Sequence, residues 1–532
     1  MKKLPIGIQT IEEIIDGGYV YVDKTASIFQ LISDSKYYFL SKPRRFGKSL
    51  LISTLKAIFN GDKELFKDCQ IYGLDYKWEK HPIIHLDFTQ ILTKSAEDLK
   101  ASLKRKLVKI AESYGKSIDT SSLQESLTSL VEKLSENGKV VVLVDEYDKP
   151  LIDNLTNLAV AEANRELLNS FFETLKGLDS HLRFIFVTGV SKFSQVSLFS
   201  GFNHLKDITI HPAYATLLGY TEEEVSQFFD DRIKKIASER NQSNTQVIAE
   251  MREWYNGYRF SWGQPTVYNP YSTLSFLDTG RTQSYWFRTG TPSFLIEQVK
   301  KLPQTIVQLS GVRATESELL DIHTLSMMSL KALMWQTGYL TIQEYDQKNS
   351  LYQLDFPNKE VRKAFFDSLI QEFVGIESSS INLAALECKK ELEHHDIKSF
   401  FRTINIFFAK IPYSLFNKGD EGTYQAIFLS LLEAMGIKVH AEEQTNVGRI
   451  DLLLEMAKII YIFEFKIDKT ADEALEQIGI KKYKEKFSKH NKEIATIGAN
   501  FSSKKRNVAD WKAIIYFPDG KEKLKLESEN NG

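Results

Sequence analysis

Gly448-Arg449-Ile450-Asp451, followed on the next apolar run by Glu464-Phe465-Lys466, is the stretch that decides the reading of the carboxyl-terminal part of this chain. A strand sends residues i and i+2 to one face, so Glu464 and Lys466 point together while Phe465 turns into the core. Met456-Ala457-Lys458 reads as a turn between strands at Ile450–Glu455 and Ile459–Lys466, which brings Asp451 beside them from the preceding strand. Two carboxylates on neighbouring strands can hold a hard divalent cation through oxygen, Mg²⁺ with several waters retained being the usual case. Such an ion lowers the pKa of a bound water and offsets charge growing on a phosphodiester, with Lys466 placed to orient or activate the attacking water. The plainer alternative is ordinary alternating charge on a half-exposed strand.

This arrangement resembles the PD-(D/E)XK nuclease superfamily. The resemblance implies Asp451, Glu464 and Lys466 as the core triad, Asp451 and Glu464 being the metal ligands. It further implies Glu421, on a helix expected over Glu421–Met435, as an additional acid. Gln477, within Ala474-Leu475-Glu476-Gln477-Ile478 of the following helix, matches a polar position that some members place beside the metal.

At 532 residues the chain exceeds one typical core, so two to four domains are expected. The formal net charge of −2 means that any nucleic-acid binding must come from local basic surface and not from the field of the whole molecule. Lys481, Lys482, Lys484, Lys486, Lys489 and Lys492 supply one such run, which reads equally well as a solvated helix face. Cys69 and Cys388 are far apart and lack metal-ligand spacing, which predicts neither a disulfide framework nor a zinc site and fits a reducing cytoplasm. Pro5, Gln9, Glu12 and Glu13 interrupt any apolar amino-terminal run, arguing against a signal peptide, and no apolar stretch approaches the length of a membrane span.

In the front third, Tyr37–Leu40 is a short apolar strand that runs into Ser41-Lys42-Pro43-Arg44-Arg45-Phe46-Gly47-Lys48-Ser49, after which Leu50–Phe59 has helical character. Strand, loop and helix with Gly-Lys-Ser at the junction make a phosphate-binding loop. The main chain of Arg44, Arg45, Phe46 and Gly47 with the helix N-terminus would cradle phosphates, Lys48 would reach the β and γ phosphates, and Ser49 would ligate Mg²⁺. The strict pattern wants glycine where Lys42 stands, and a Cβ there restricts the turn. Lys139–Glu146 is a continuous apolar run closing on two acids, as in a strand buried on both faces of a parallel sheet, with the acids at the ligand-binding edge. Asp145 would hold Mg²⁺ through water and Glu146 would polarise the attacking water, while Asp148 is read as loop solvation. Two further buried strands are expected at Pro82–Phe88 and Arg183–Thr188, the latter ending where Thr188 could sense a γ-phosphate.

Here the resemblance becomes specific. Pro43–Ser49, Tyr21-Val22-Asp23-Lys24-Thr25, Val144-Asp145-Glu146-Tyr147-Asp148-Lys149-Pro150 and Thr188-Gly189-Val190-Ser191-Lys192-Phe193 are similar to landmarks of the AAA-ATPase-like family. In bacterial proteins that family is often joined to a carboxyl-terminal PD-(D/E)XK domain, and the similarity runs over nearly the whole length. It implies ATP as a ligand, and the family's own variant loop accommodates the missing glycine. The expected division is residues 1–215 as the P-loop domain, 216–302 as a helical lid-like region, 303–390 as a winged-helix-like region and 391–526 as the nuclease-like domain.

In the middle, Trp254–Phe260, Val267–Tyr271 and Tyr285–Phe287 bring aromatic rings together with Arg259 and Arg288. They suit packing in a lid, or stacking of single-stranded bases, or, for Arg259, contact with the nucleotide. Leu330–Thr337, a hairpin of Tyr339–Tyr345 with Leu351–Phe356, and Asn358–Phe373 suggest a winged-helix-like unit, with a boundary to the nuclease near Glu377–Glu393 and a disordered tail from Glu527. Arg183 and Lys192 are basic groups near the sensor strand. The expectation is an α/β multidomain protein that binds and hydrolyses ATP and cuts nucleic acid, DNA by resemblance, with Mg²⁺ under nucleotide control, with homo-oligomerisation left open. The alternative is a nucleotide-switched protein whose nuclease-like fold binds nucleic acid or a partner without cutting.

Overall fold

The computed structural model describes residues 1–192, 205–287, 295–296, 299, 309, 311–320, 329–374, 378–411, 421–434, 438–445, 448–487 and 490–528, without the side chains at 373–382, 421–423, 434, 438, 441–449 and 486. It divides into two compact units, Met1–Gly290 with Arg313–Asn358 and Thr291–Val312 with Lys359–Gly532. Among the described residues the strands form three sheets.

The first unit is built on a parallel sheet of β1 (Tyr37–Ser41), β2 (Ile83–Asp87), β3 (Val140–Asp145), β4 (Leu182–Gly189) and β5 (Lys206–Asp207), in the order β2-β3-β4-β1-β5. Every residue of β1 and β3 is buried, the mark of strands covered on both faces. Val142, Val144, Ile185 and Val187 pack on one face against Leu99, Leu103, Leu127, Leu130, Phe171 and Phe172 from helices Ala96–Ser113, Leu123–Ser135 and Leu158–Lys176. The opposite face carries the helix Lys48–Phe59, with the Phe59 ring 5.1 Å from Phe184. Register fixes what meets at the carboxyl edge. Leu40 pairs with Thr188, Val144 with Val187 and Asp87 with Asp145, so the loop after β1, the acids after β3 and the threonine of β4 end side by side.

Leu330–Thr337 is a helix capped by the Ser329 hydroxyl and stopped by Gly338 at φ 90°, a left-handed position that suits glycine. The hairpin β7 (Thr341–Asp346) with β8 (Leu351–Asp355) follows, and β6 (Val312–Ala314) completes a sheet in the order β6-β8-β7. The helix Lys359–Val374 belongs to the second unit, as does Ser378–Glu393, which is helical across the stretch read as a boundary.

The second unit centres on β9 (Lys438–Thr445), β10 (Gly448–Glu455), β11 (Ile459–Ile467), β12 (Glu493–Ser502), β13 (Asn507–Tyr516) and β14 (Glu522–Glu527), adjacent in sequence order. All neighbours run antiparallel except β11 and β12, whose parallel pairing requires the crossover helix Ala471–Ile480 between them. On the other face Phe428, from the helix Glu421–Ala434, stands 5.0 Å from Phe465 and 5.7 Å from Phe463. Glu527, read as the start of a disordered tail, instead pairs with Lys512 in the β13–β14 ladder, and the rest of that stretch from residue 529 lies outside the described residues.

Candidate functional site

The loop after β1 folds into the helix Lys48–Phe59 through two left-handed residues, Arg45 at φ 65° and Gly47 at φ 95°. The turn therefore does not fall at Lys42, where the sequence pattern seeks glycine. Lys42 instead drives its side chain inward, its Nζ donating to the Thr209 carbonyl at 2.8 Å and lying 3.5 Å from the centre of the Phe260 ring. Phe46 presents only its main chain to the loop. Its ring is buried edge-on against Tyr258 (4.7 Å) and Phe260 (5.3 Å). Trp286 Nε1 donates to the Arg44 carbonyl at 3.0 Å, Pro43 abuts Gly338, and the Arg45 guanidinium sits 4.9 Å from the Tyr271 ring. Tyr258, Phe260, Tyr271 and Trp286 thus pack against the loop, whereas Trp254, Tyr255, Tyr268 and Tyr285 belong to or border a separate apolar core. Arg259 is committed too, donating to the Gln343 carbonyl at 2.7 Å, and Arg288 lies outside the described residues.

Lys48 is buried and its Nζ donates to the carbonyls of Lys42 and Pro43, both at 2.9 Å. Burial lowers its pKa, opposed by the charges of Glu146, Asp145 and Asp148. Thr188 Oγ1 donates to Asp145 Oδ1 at 2.7 Å, tying the carboxyl ends of β3 and β4 together. Glu146 stands at φ 51°, and burial raises its pKa despite the nearby Lys48 ammonium. Asp148 is not solvated, contrary to the reading of the sequence. It is 1 % exposed and accepts from Val190 N (3.0 Å), Ser191 N (2.6 Å) and Ser191 Oγ (2.7 Å), which pins the turn after β4. Lys192 is buried in an ion pair with Asp207, and Arg183 donates to the Ile32 carbonyl from the start of β4, at the opposite edge from the loop.

A cavity of about 390 Å³ opens at this edge. Arg44–Ser49 and Glu146 line one part of it, while Ile8, Ile14, Tyr21, Val22, Leu217, Leu218 and Leu274 give another part an apolar wall. The combination suits a nucleotide, polar at the phosphates and apolar at the base. Reasoning from the sequence missed that wall. The one signal for its placement was the capping box Thr221-Glu222-Glu223-Glu224 directly after Leu217–Tyr220. The donor set fits Mg·ATP chemically, with the N–H groups of the loop and helix start for phosphate, and Ser49 and Asp145 as oxygen ligands.

In the second unit, Leu452 pairs with Phe463 at the end of the β10–β11 ladder, and one step beyond it Asp451 Oδ2 accepts the Phe465 N–H at 2.9 Å. Glu464 is 1 % exposed, and its Oε1 accepts from Gln477 Nε2 and, at 3.3 Å, from Lys466 Nζ. Asp451, Glu464, Lys466 and Gln477 are therefore gathered at one place. Gln477 gets there because its helix lies tight on the sheet. Gly498 pairs with Glu464, and a Cβ at Gly498 would stand 2.4 Å from the Ala471 carbonyl. Asn500 and Asp510 hold the start of the same helix, Asp510 Oδ2 accepting from Ala471 N at 2.7 Å and Asn500 donating to Asp510 Oδ1 at 2.7 Å. The helix carrying Glu421 is in place, but the Glu421 side chain lies outside those described, as does that of Arg449.

Among the described residues no three His, Cys, Asp or Glu side chains cluster as metal ligands. Two carboxylates with water completing the sphere remain a donor set that Mg²⁺ accepts. Within the basic run Tyr483–Phe487 is a 3₁₀ turn; Lys492 donates to Glu455, Lys484 lies over the Tyr516 ring, and Lys489 and the Lys486 side chain are outside the description.

A parallel sheet with a phosphate-loop helix in one unit, and a mixed sheet with a crossover helix over an Asp/Glu/Lys cluster in the other, define a P-loop NTPase fold joined to a restriction-endonuclease-like fold. The family model described as "Predicted AAA-ATPase" matches residues 5–199, and that of the PD-(D/E)XK nuclease superfamily matches residues 419–511. An uncharacterised protein in the vnfD 5′ region of Azotobacter chroococcum mcd 1 is 35 % identical over 524 residues, which span 96 % of this chain and 98 % of that protein. The chain belongs to the AAA-ATPase-like family and carries a PD-(D/E)XK nuclease superfamily domain. The Aeropyrum pernix ORC2 protein in its ADPNP–ADP complexes aligns over 63 % of this chain and 87 % of its own, at 11 % identity and a TM-score of 0.23, too low to say anything about fold or function. Among the described residues no helix is long and apolar enough to cross a membrane.

Proposed function

We propose that the protein binds and hydrolyses ATP in the first unit and cleaves DNA with Mg²⁺ in the second, the nucleotide state controlling cleavage. The observation that carries the nuclease reading is the convergence of Asp451, Glu464 and Lys466 near the carboxyl end of β11 with Gln477 from the helix packed on it, since a fold that only binds has no chemical need of all four.

In the first unit, Lys48 and the N–H groups from Arg44 to Ser49 bind and orient the phosphates. Glu146, reaching the cavity wall, takes the proton of the attacking water at its carboxylate. Thr188, bonded to Asp145, links phosphate occupancy to the turn that Asp148 pins. In the second unit Asp451 and Glu464 would hold Mg²⁺, which supplies charge neutralisation at the phosphodiester and a more acidic water. Lys466 would orient the attacking water, and Gln477 fixes the Glu464 carboxylate by donating to its Oε1.

The test is a plasmid incubation at fixed free Mg²⁺ with no nucleotide, ADP, ATP or a non-hydrolysable analogue. Asp451→Ala and Glu464→Ala abolish cleavage while ATP binding persists, and Lys48→Ala abolishes ATP binding and the nucleotide dependence of cleavage. Lys466→Ala still binds metal. Intact cleavage by Asp451→Ala refutes the nuclease assignment, and wild-type ATP affinity in Lys48→Ala refutes the loop. Rates that ignore nucleotide throughout refute the control.

A further inference from the structure

Lys24 sits in Tyr21-Val22-Asp23-Lys24-Thr25, where Tyr21 and Val22 wall the cavity but the lysine has no role in the chemistry above. Its neighbour Asp23 is locked to the body of the unit, accepting from Thr25 N at 2.8 Å and from Gln70 N at 2.7 Å. From that fixed point the Lys24 side chain reaches about 200 residues along the chain. Its Nζ donates to the Thr216 carbonyl at 2.9 Å and to both oxygens of Glu224, at 2.5 and 2.6 Å. All three ammonium protons are accounted for.

Thr216 and Glu224 flank Leu217–Tyr220, the strap that walls the apolar part of the cavity. The far end of the strap has further anchors. Glu224 Oε2 accepts the Thr221 N–H at 2.8 Å in the capping box, and Tyr220 exchanges main-chain hydrogen bonds with Tyr268 at 3.2 and 2.7 Å. Gly219, at φ 84°, has no room to gain a side chain, since its Cβ would stand 2.6 Å from Val267. One cation that itself lines the cavity therefore grips both flanks of the strap. The pair is largely shielded, with Lys24 15 % and Glu224 21 % exposed, so water competes weakly for it.

We infer that Lys24 is a positioning residue for nucleotide binding: by clamping Leu217–Tyr220 it shapes the base-side wall and sets affinity for the base without touching the phosphates. This rests on the nucleotide reading of the cavity. It separates two halves of the ligand that the phosphate loop alone would not distinguish.

The experiment compares binding of ATP and inorganic tripolyphosphate by calorimetry to full-length wild type, Lys24→Met, Glu224→Gln and the double variant. Lys24→Met lowers ATP affinity roughly 10- to 100-fold, as for loss of a shielded charge-assisted hydrogen bond, and leaves tripolyphosphate affinity within about twofold. Glu224→Gln, which can still cap its helix, shows a smaller loss of the same kind, and the double variant is no worse than Lys24→Met alone. Unchanged ATP affinity in Lys24→Met overturns the clamp. So does an equal loss for both ligands, which a merely structural role would produce. Wild type that binds neither ligand overturns the nucleotide reading, and the clamp with it.

Discussion

Gly498→Ala should loosen the second unit and disable its site together. Alanine is the better strand residue, and removing the glycine's excess conformational freedom would by itself stabilise by about 0.5–1 kcal/mol. The new methyl, however, would stand 2.4 Å from the Ala471 carbonyl and 2.8 Å from the Leu475 nitrogen, where ordinary contact begins at 3.4 Å. Both obstacles are backbone, so no side-chain rotation relieves them and the helix Ala471–Ile480 must move by about 1 Å. Overpacking of this kind costs about 1–3 kcal/mol, and rigid neighbours place it near the upper end. The net loss is about 2 kcal/mol, or a fall of about 4–8 °C in the melting transition of a unit this size. The same shift draws Gln477 away from Glu464, and a 1 Å misplacement at a catalytic group can cost about 100-fold in cleavage. Gly479→Ala on the same helix is the control, because nothing lies within 4 Å of its Cβ and alanine there stabilises by up to about 1 kcal/mol. Differential scanning calorimetry with a cleavage assay reads both. A Gly498→Ala protein that melts with wild type or above it would refute the close approach of helix and strand.

Asp148→Ala strands two buried N–H groups and a hydroxyl in the turn after β4, and should cost about 3 kcal/mol or more in denaturant unfolding; a change under about 1 kcal/mol would mean that the turn does not depend on it. Burial raises the pKa of Glu146, and a general base must be ionised. ATP turnover should therefore fall on acidification at a pH above the ordinary glutamate value of 4.5, and Glu146→Gln should bind ATP but turn it over slowly throughout; a wild-type acid limb at or below 4.5 contradicts the role.

The sheet of the first unit was legible because parallel strands buried on both faces write themselves as unbroken apolar runs, as at Val140–Val144. Leu330–Thr337 was read as a helix and has those bounds, set by Ser329 and Gly338, and the Asp451/Glu464/Lys466 cluster was legible from alternation along β11. Asp148 was misread because its partners, two main-chain N–H groups and the Ser191 hydroxyl, lie some forty residues away, where nothing in the local sequence points to them. Lys42 was judged by the glycine it replaces, whereas a backbone conformation is set by the whole loop and here falls on Arg45 and Gly47. The apolar wall of the cavity was invisible for a related reason. It is assembled from Ile8, Tyr21, Leu218 and Leu274, each ordinary in its own neighbourhood.

The supports of the phosphate loop carry a consequence for how the chain matures. Phe46, Arg44 and Pro43 rest on Tyr258 with Phe260, on Trp286 and on Gly338, all beyond residue 199, where the match to the AAA-ATPase model stops. During synthesis, strand, loop and acidic strand emerge long before the props that give the loop its shape. A ribosome-bound nascent chain halted near residue 215 holds every signature residue of the motif and lacks what presses it into form. Capacity for nucleotide thus arrives late in translation, once Gly338 has left the exit tunnel, and a fragment cut at the edge of the recognisable motif should be expressed with its ligand-binding face unfinished.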